Sequence, residues 1–208
     1  MNIRKAELQD AESFILIKQK LKLNAAHQNS GQGGFLLGTD LQTYQYFISK
    51  ADCFVAEINS EIIGFAIALP DDLIRKSELW LKRNQVVWKF SLETIERSKL
   101  AYIEQLACLP QHHFSAFSLA SHLIYFLFNC GVENIITTTV VKPVLNKAAL
   151  PFIFAVGGIH VGEINEYYPE YGAITSDIYC ISREAFLKHE EKLKHKYHLH
   201  HLIQLNHF

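Results

Sequence analysis

The sequence predicts an α/β fold built on a mixed β-sheet, and three observations carry that expectation. Segments of strand and helix character follow one another as β-α-α-β-β, an interruption, and then β-α-β-α-β-β. Two apolar runs flank Asn59-Ser60, a hairpin signal because Asn tolerates positive φ. A strand, Ile103-Glu104-Gln105-Leu106-Ala107-Cys108-Leu109-Pro110, breaks into a short loop at 113–118 that opens an apolar helix closed by Gly131. That last arrangement gathers unpaired backbone N–H groups at one spot, the physical recipe for seating a diphosphate.

Each element has a local reason. Ile3 to Ala6 reads as a short strand leading to a helix that starts near Asp10, carries Phe14, Ile17 and Leu21 on one face, and ends before Asn29-Ser30-Gly31. Thr39 and Gln42 have capping-box spacing, and Leu41, Tyr44 and Ile48 form an apolar stripe, so a second helix spans Asp40 to about Ser49. Between the two, Gly31-Gln32-Gly33-Gly34-Phe35 follows a helix rather than a strand, which favours an acceptor-site loop over a nucleotide-phosphate loop. Cys53 to Ile58 and Ile62 to Leu69 form the hairpin. Asp71 to Lys99 then interrupts the strand pattern with a mixed, largely helical segment, longer than a tight connection between neighbouring strands needs. Its Leu73, Trp80, Val86, Val87, Trp88 and Phe90 read as local core or as a ligand platform. Tyr102 to Leu109 is the next strand, and Leu119, Leu123, Leu127 and Cys130 share one face of the helix after it. Asn134 to Val141, rich in Ile, Thr and Val, is a further strand. Asn146 heads a helix to about Val156, ended by Gly157-Gly158, and Ile159 to Glu163 and Thr175 to Ile181 finish as two strands.

Composition narrows the function classes. With 208 residues, 49% of them hydrophobic, the chain buries one good core, so a single domain over 1–187 is expected, followed by a His/Lys-rich tail at 188–208. A formal charge of -1 supplies no global field for phosphate polymers or anionic lipid, so neither nucleic acid nor membrane is expected as a partner. Cys53, Cys108, Cys130 and Cys180 form no C-x-x-C pair and read as buried free thiols in a reducing cytosol. The N-terminus lacks an apolar h-region and no run approaches bilayer-spanning length, so a cytoplasmic protein is expected. His189, His195, His198, His200, His201 and His207 interleave with Lys188, Lys192, Lys194 and Lys196. Without Cys or acidic partners at ligand spacing they read as a solvated or oligomer-contacting tail, and no metal requirement is expected.

Taken in order, four stretches resemble the GNAT superfamily of acyl-CoA-dependent N-acetyltransferases over nearly the whole chain. They are Ile3-Arg4-Lys5-Ala6 with Asp10-Ala11-Glu12, Phe54-Val55-Ala56-Glu57 with Ile63-Gly64-Phe65, Ile103 to Pro110, and Asn146 to Gly157. The resemblance implies a GNAT-like, mostly antiparallel central sheet flanked by helices and splayed between the fourth and fifth of the seven strands named above. Residues 71–99 then insert between the third and fourth. It also implies acetyl-CoA as co-substrate, its acetyl group passing by direct attack to a primary amine of a small molecule or peptide, and leaves a homodimer open as the assembly.

In that frame Leu106, Ala107 and Cys108 pair through backbone atoms with the pantetheine arm, one N–H stabilising the oxyanion. The diphosphate loop falls on His113, Phe114, Ser115, Ala116, Phe117 and Ser118. His113 stands at the family's Arg or Gln, Ala116 at its Gly and Ser118 at its final Gly or Ala. Ala and Ser keep the donors but add bulk where glycine lets phosphates approach the backbone. Asn146 matches the family's pantetheine-contacting Asn and would serve equally as a helix N-cap. Glu104 is the candidate general base, with Tyr102 in reserve, because an acceptor ammonium must lose a proton before it attacks. An exposed or ion-paired strand Glu is the plain alternative. Strand alternation puts Glu104 on a face with Leu106 and Tyr102, and Gln105 on the other. Gly34 and Phe35 of the acceptor loop and Trp80 and Trp88 of the insertion are the candidate acceptor contacts. Ile153 replaces the family's thiolate-protonating Tyr, leaving Tyr167, Tyr168 or Tyr171 as substitutes. The altered loop also favours a second reading, a non-catalytic GNAT-fold module that binds CoA or a protein partner.

Overall fold

Strand β1 (Asn2–Lys5) enters helix α1 (Ala11–Lys20) through a short turn that Arg4 organises, its guanidinium meeting Asp10 at 2.6 Å while Asp10 accepts the Glu7 N–H at 2.7 Å. The computed structural model describes residues 1–21, 29–30, 36, 38–168 and 172–189. After β2 (Asn29–Ser30) comes α2 (Leu41–Lys50), capped by Asp40 rather than by Thr39. The Asp40 carboxylate accepts both the N–H and the hydroxyl of Thr43, at 2.8 and 2.7 Å, and the Thr39 hydroxyl is thereby released to accept from Gln105. β3 (Asp52–Ile58) and β4 (Glu61–Pro70) form the expected hairpin, with Asn59 at φ 51° and Ser60 at φ 66°, the two positive values a type I′ turn requires.

Residues 71–99 contain α3 (Asp71–Ile74), α4 (Glu78–Leu81), β5 (Val87–Trp88) and α5 (Leu92–Arg97). The chain continues through β6 (Leu100–Cys108), α6 (His113–Asn129), β7 (Asn134–Lys142), β8 (Leu145–Asn146), α7 (Leu150–Ala155), β9 (Ile159–Tyr168) and β10 (Gly172–Ser182), with helical backbone at 183–189. The main sheet runs β1-β3-β4-β6-β7-β10-β9-β5, antiparallel everywhere except between β6 and β7, and β2 pairs with β8 in a short parallel ladder of its own. The mixed, mostly antiparallel sheet flanked by helices is the architecture expected above.

Two cores sandwich the sheet. On one face α1 and α2 bring Phe14 and Tyr44 onto Phe65, the Phe14 and Phe65 rings stacked at 4.1 Å and Tyr44 edge-on to both. The same face is covered further along by the insertion, whose Ile74, Trp80, Val86 and Ile95 belong to one apolar cluster with Ile136, Val161, Ile164 and Ile178. Because β5 pairs with β9, residues 71–99 cross this face from β4 to the far edge of the sheet before returning to β6. On the other face Leu119, Leu123 and Leu127 of α6 are buried with Ala101, Ile103 and Ile135, and Gly131, at φ 82°, follows the helix.

Four expectations change. Cys130 is exposed at the end of α6 and Cys108 is half-buried, so only Cys53 and Cys180 are buried thiols. Helix α6 begins at His113, because a turn at Pro110–His112 already bends the chain and His112 takes the N-cap place, so 113–118 is helix rather than loop. Asn146 heads no helix: it lies in β8, its Oδ1 accepts the Ala148 N–H at 3.2 Å, and α7 starts only at Leu150 with Pro151 in its first turn. β9 and β10 run past the expected strands to Tyr168 and from Gly172. Among the described residues no helix is long and apolar enough to cross a membrane.

Candidate active site

β6 and β7 pair in parallel over only four residues each, Leu100 to Ile103 against Asn134 to Thr137. The last rung is reinforced by the Thr137 hydroxyl, which donates to the Ile103 carbonyl at 3.1 Å. Beyond it β6 continues to Cys108 bound to β4, and β7 continues to Lys142 bound to β10, so the two strands part. The splay expected between these strands is therefore present. Leu109 N–H donates to Ile63 at 2.9 Å, and the antiparallel pattern alternates, so Ala107 also turns its backbone groups to β4 while Leu106 and Cys108 direct theirs into the gap. Of the three residues expected to offer backbone groups there, Ala107 is the exception. Gly64 permits the close approach of β4, since a Cβ on it would lie 2.8 Å from the Ala107 carbonyl oxygen and 3.0 Å from the Cys108 sulfur.

The strand alternation expected around Glu104 is broken. Ile67 opposes Gln105 and Ala68 opposes Ile103, leaving Glu104 as the extra residue of a β-bulge at the mouth of the splay. Gln105 consequently shares the α1/α2 face with Tyr102, held by the Tyr44 hydroxyl at 3.0 Å and donating to Thr39 at 2.8 Å, whereas Leu106 packs on the α6 face. The Glu104 charge acts on Tyr44, Tyr102 and Tyr168, which puts its carboxyl on the α1/α2 side of the gap. Burial, and after it repulsion from Glu166, lifts that carboxyl to about 7. No ion pair compensates it among the described residues. Tyr102 shares a 2.8 Å hydrogen bond with the Thr138 hydroxyl, and burial, followed by the Glu104 charge, pushes its phenol well above the ordinary range. A carboxyl poised near neutrality suits proton transfer, and a phenol held so firmly protonated suits hydrogen-bond donation instead.

The N-terminus of α6 closes the α6 side of the gap. Its first-turn N–H groups have no carbonyl partner within the helix, and the Cys108 sulfur lies against those of Leu109 and Ala116 while its thiol donates to the His112 carbonyl at 3.2 Å. Burial raises this thiol to about 11, so it is a protonated packing group. Phe117 is buried edge-on to Phe152 at 5.5 Å, and Phe114 is 71% exposed. Leu106, Ala107, Cys108, Phe114, Ala116, Phe117 and Asn146 all line one cleft of about 1260 Å³, together with Tyr102 and Glu104. Ser115 and Ser118 are not on its wall, the Ser118 hydroxyl being turned to the Phe114 carbonyl at 3.3 Å.

The architecture is similar to that of known enzymes. Ribosomal-protein-S18-alanine N-acetyltransferase from Escherichia coli superposes with a TM-score of 0.58 at 17% identity, over 87% of this chain and 92% of that one. The GNAT fold is the fold of this chain. NAA60 of Arabidopsis thaliana, solved with a bisubstrate analogue, gives a TM-score of 0.60 at 14% identity over 86% of this chain and 95% of the other. The putative acetyltransferase yncA of Salmonella typhimurium, solved with acetyl-CoA, gives 0.57 at 15% identity over 88% and 93%. No protein-family model matches the sequence, and no curated protein sequence matches it.

Within the GNAT fold the insertion forms a wall that the sequence left undefined. Leu73, Ser77, Leu79 and Lys82 line the cleft, as do Thr39, Thr43 and Phe47 of the α2 side. The expectation that Trp80 and Trp88 enclose an acceptor is corrected, because neither reaches the cleft. Trp80 is core, with Arg75 and Arg83 over its ring at 5.0 and 5.3 Å, and the Trp88 indole N–H is spent on the Arg83 carbonyl at 2.8 Å. Gly34, Phe35, Tyr171 and the tail from 190 onward lie outside the described residues, as does the His113 side chain. Ile153 is buried on the cleft wall, where it has no proton to give.

Glu166 and Thr139 escaped the reading of the sequence. Glu166 and Tyr168 reach the cleft because β9 continues past Glu163; the alternation of Ile164, Glu166 and Tyr168 was the available signal. Burial, then the Glu166 charge, raises Tyr168 to about 12. Thr139 lies on β7 beyond the last β6 rung, is 3% exposed, and its hydroxyl has no partner among the described residues. The Thr137-Thr138-Thr139 run was visible, but which hydroxyls a neighbouring strand would satisfy was not.

Proposed function

We propose that the protein is an acetyl-CoA-dependent N-acetyltransferase in which a primary amine attacks the thioester directly in a ternary complex. The observation that carries this reading is the parting of β6 and β7 after Ile103 and Thr137, directly beside Glu104 and the start of α6. Acetyl-CoA supplies an activated acyl group. The residues present fit it: an open backbone edge at Leu106 and Cys108, helix N–H groups for a diphosphate, and a gap that joins both faces of the sheet. Glu104 takes the proton of the incoming ammonium, and the Leu106 or Cys108 N–H donates to the carbonyl oxygen. With Ile153 at the position of the usual acid, the thiol departs as its anion, tolerable for a group of pKa about 8.5.

One observation favours the non-catalytic reading. The Cys108 sulfur already occupies the Ala116 N–H, and Ala116 and Ser118 bring side chains where small ones are expected. Isothermal titration with acetyl-CoA and thiol release on a panel of amines separate the two. Binding with turnover supports the enzyme, binding without turnover on any amine supports the CoA-binding module, and no binding removes both of these and leaves only a module for a protein partner.

A further inference from the structure

Among the described residues, five charged ones line the cleft: Lys76, Glu78, Lys82, Glu104 and Glu166. Lys82 meets Glu78 at 2.6 Å and Lys76 lies 4.0 Å from Asp72, so both cations already have carboxylate partners. Glu104 and Glu166 are left without an ion pair among the described residues. Both come from the sheet floor of the chamber between α2 and the insertion, and the Tyr102 and Tyr168 phenols feel the charge of both. Two like charges held in a partly dry chamber repel each other, and each favours a cation over water as its neighbour. A monoamine neutralises one of them. A molecule with two ammonium groups neutralises both, and the apolar Leu73, Leu79 and Phe47 offer surface for the methylenes between them.

We infer that the acceptor is a small linear diamine, its reacting nitrogen delivered to Glu104 and its second ammonium held by Glu166. This rests on the transferase reading above. A small molecule fits better than a chain end because the apolar Leu73, Leu79 and Phe47 on the cleft wall suit bare methylenes and would leave peptide groups without partners. Glu166 is then a specificity residue: it selects the acceptor without touching the proton that Glu104 removes. Lys82 tempers its charge through space, and burial still keeps the Glu166 carboxyl above its ordinary range, so a bound ammonium relieves a real penalty.

The test compares diaminobutane with aminobutanol, which has the same length but a neutral far end, in wild type and Glu166→Gln. In wild type kcat/KM for diaminobutane exceeds that for aminobutanol by about tenfold or more, the scale of one charge-assisted contact, and in Glu166→Gln the ratio falls toward one. A wild-type ratio within about twofold, or a ratio that survives Glu166→Gln, overturns the assignment. Glycyl-lysine amide is the comparison for a peptide source, and a higher kcat/KM for it than for diaminobutane overturns the small-diamine choice. Should acetyl-CoA bind with no amine turned over, the transferase reading fails by itself. The diamine site is then read by thermal shift at matched ionic strength: stabilisation by diaminobutane over aminobutanol in wild type but not Glu166→Gln sustains it, and equal shifts overturn it.

Discussion

Glu104→Gln is the sharpest perturbation, because it changes stability and chemistry in opposite directions. The native state holds the Glu104 proton with a pKa of about 7 against an ordinary value of 4.5. Between those two values the native protein binds more protons than the unfolded chain, so through this group stability falls as pH climbs, and the loss is complete above about pH 7. The difference corresponds to roughly 3 kcal/mol, reduced to about 2 for a carboxyl that faces a wet cleft. Gln carries no charge at any pH and escapes the loss. Urea unfolding followed by tryptophan fluorescence should therefore show Glu104→Gln more stable than wild type by about 2 kcal/mol near pH 8 and nearly equal to it near pH 4. In the same variant kcat/KM should drop by about 10²-fold or more, and the wild-type rise in rate through about pH 7 should disappear. An equal stability difference at both pH values would show that Glu104 is ionised and solvated in the native state, and the argument for it as a base held near neutrality would collapse.

Three further outcomes follow from contacts in the cleft walls. Gly64→Ala forces a Cβ against the Ala107 carbonyl and the Cys108 sulfur, so it should cost about 1–3 kcal/mol in denaturant and weaken acetyl-CoA binding by calorimetry, because β6 must shift where its free edge lies. Tyr44→Phe removes the hydroxyl that meets the buried Gln105 oxygen at 3.0 Å; a loss of about 1–3 kcal/mol is expected, read as a lower urea midpoint at unchanged m-value. Trp80→Ala should destabilise by about 3 kcal/mol while leaving relative rates across an amine panel unaltered, since the indole packs in the core behind the cleft rather than on it. A change in amine ranking without loss of stability would return Trp80 to the acceptor pocket.

Much of the architecture was legible because it rests on short-range chemistry. Asn59-Ser60 marked its hairpin since few residue pairs tolerate two positive φ values in succession. Leu119, Leu123 and Leu127 marked the buried stripe of α6 through their spacing alone. The site was legible as a place, the stretch from Ile103 to Ala116, but not in its details. The bulge that moves Gln105 onto the Tyr102 face comes from how β4 pairs with β6, and no local pattern around Glu104 encodes it. Asn146 looked able to start a helix, but it pairs in β8 with β2, residues far away in the chain, and α7 starts only at Leu150.

What the sequence by itself determined was the kind and order of the elements, and with them the strand-to-helix junction where a diphosphate could sit, because period, caps and turns act over a few residues. Only the tertiary structure decided that the insertion crosses the sheet to pair at its far edge, that Trp80 faces the core, and that the Glu166 charge acts on Glu104, with no ion pair to either among the described residues. Those outcomes depend on contacts between residues tens of positions apart, where burial and Coulomb repulsion are set by neighbours that no window of sequence contains.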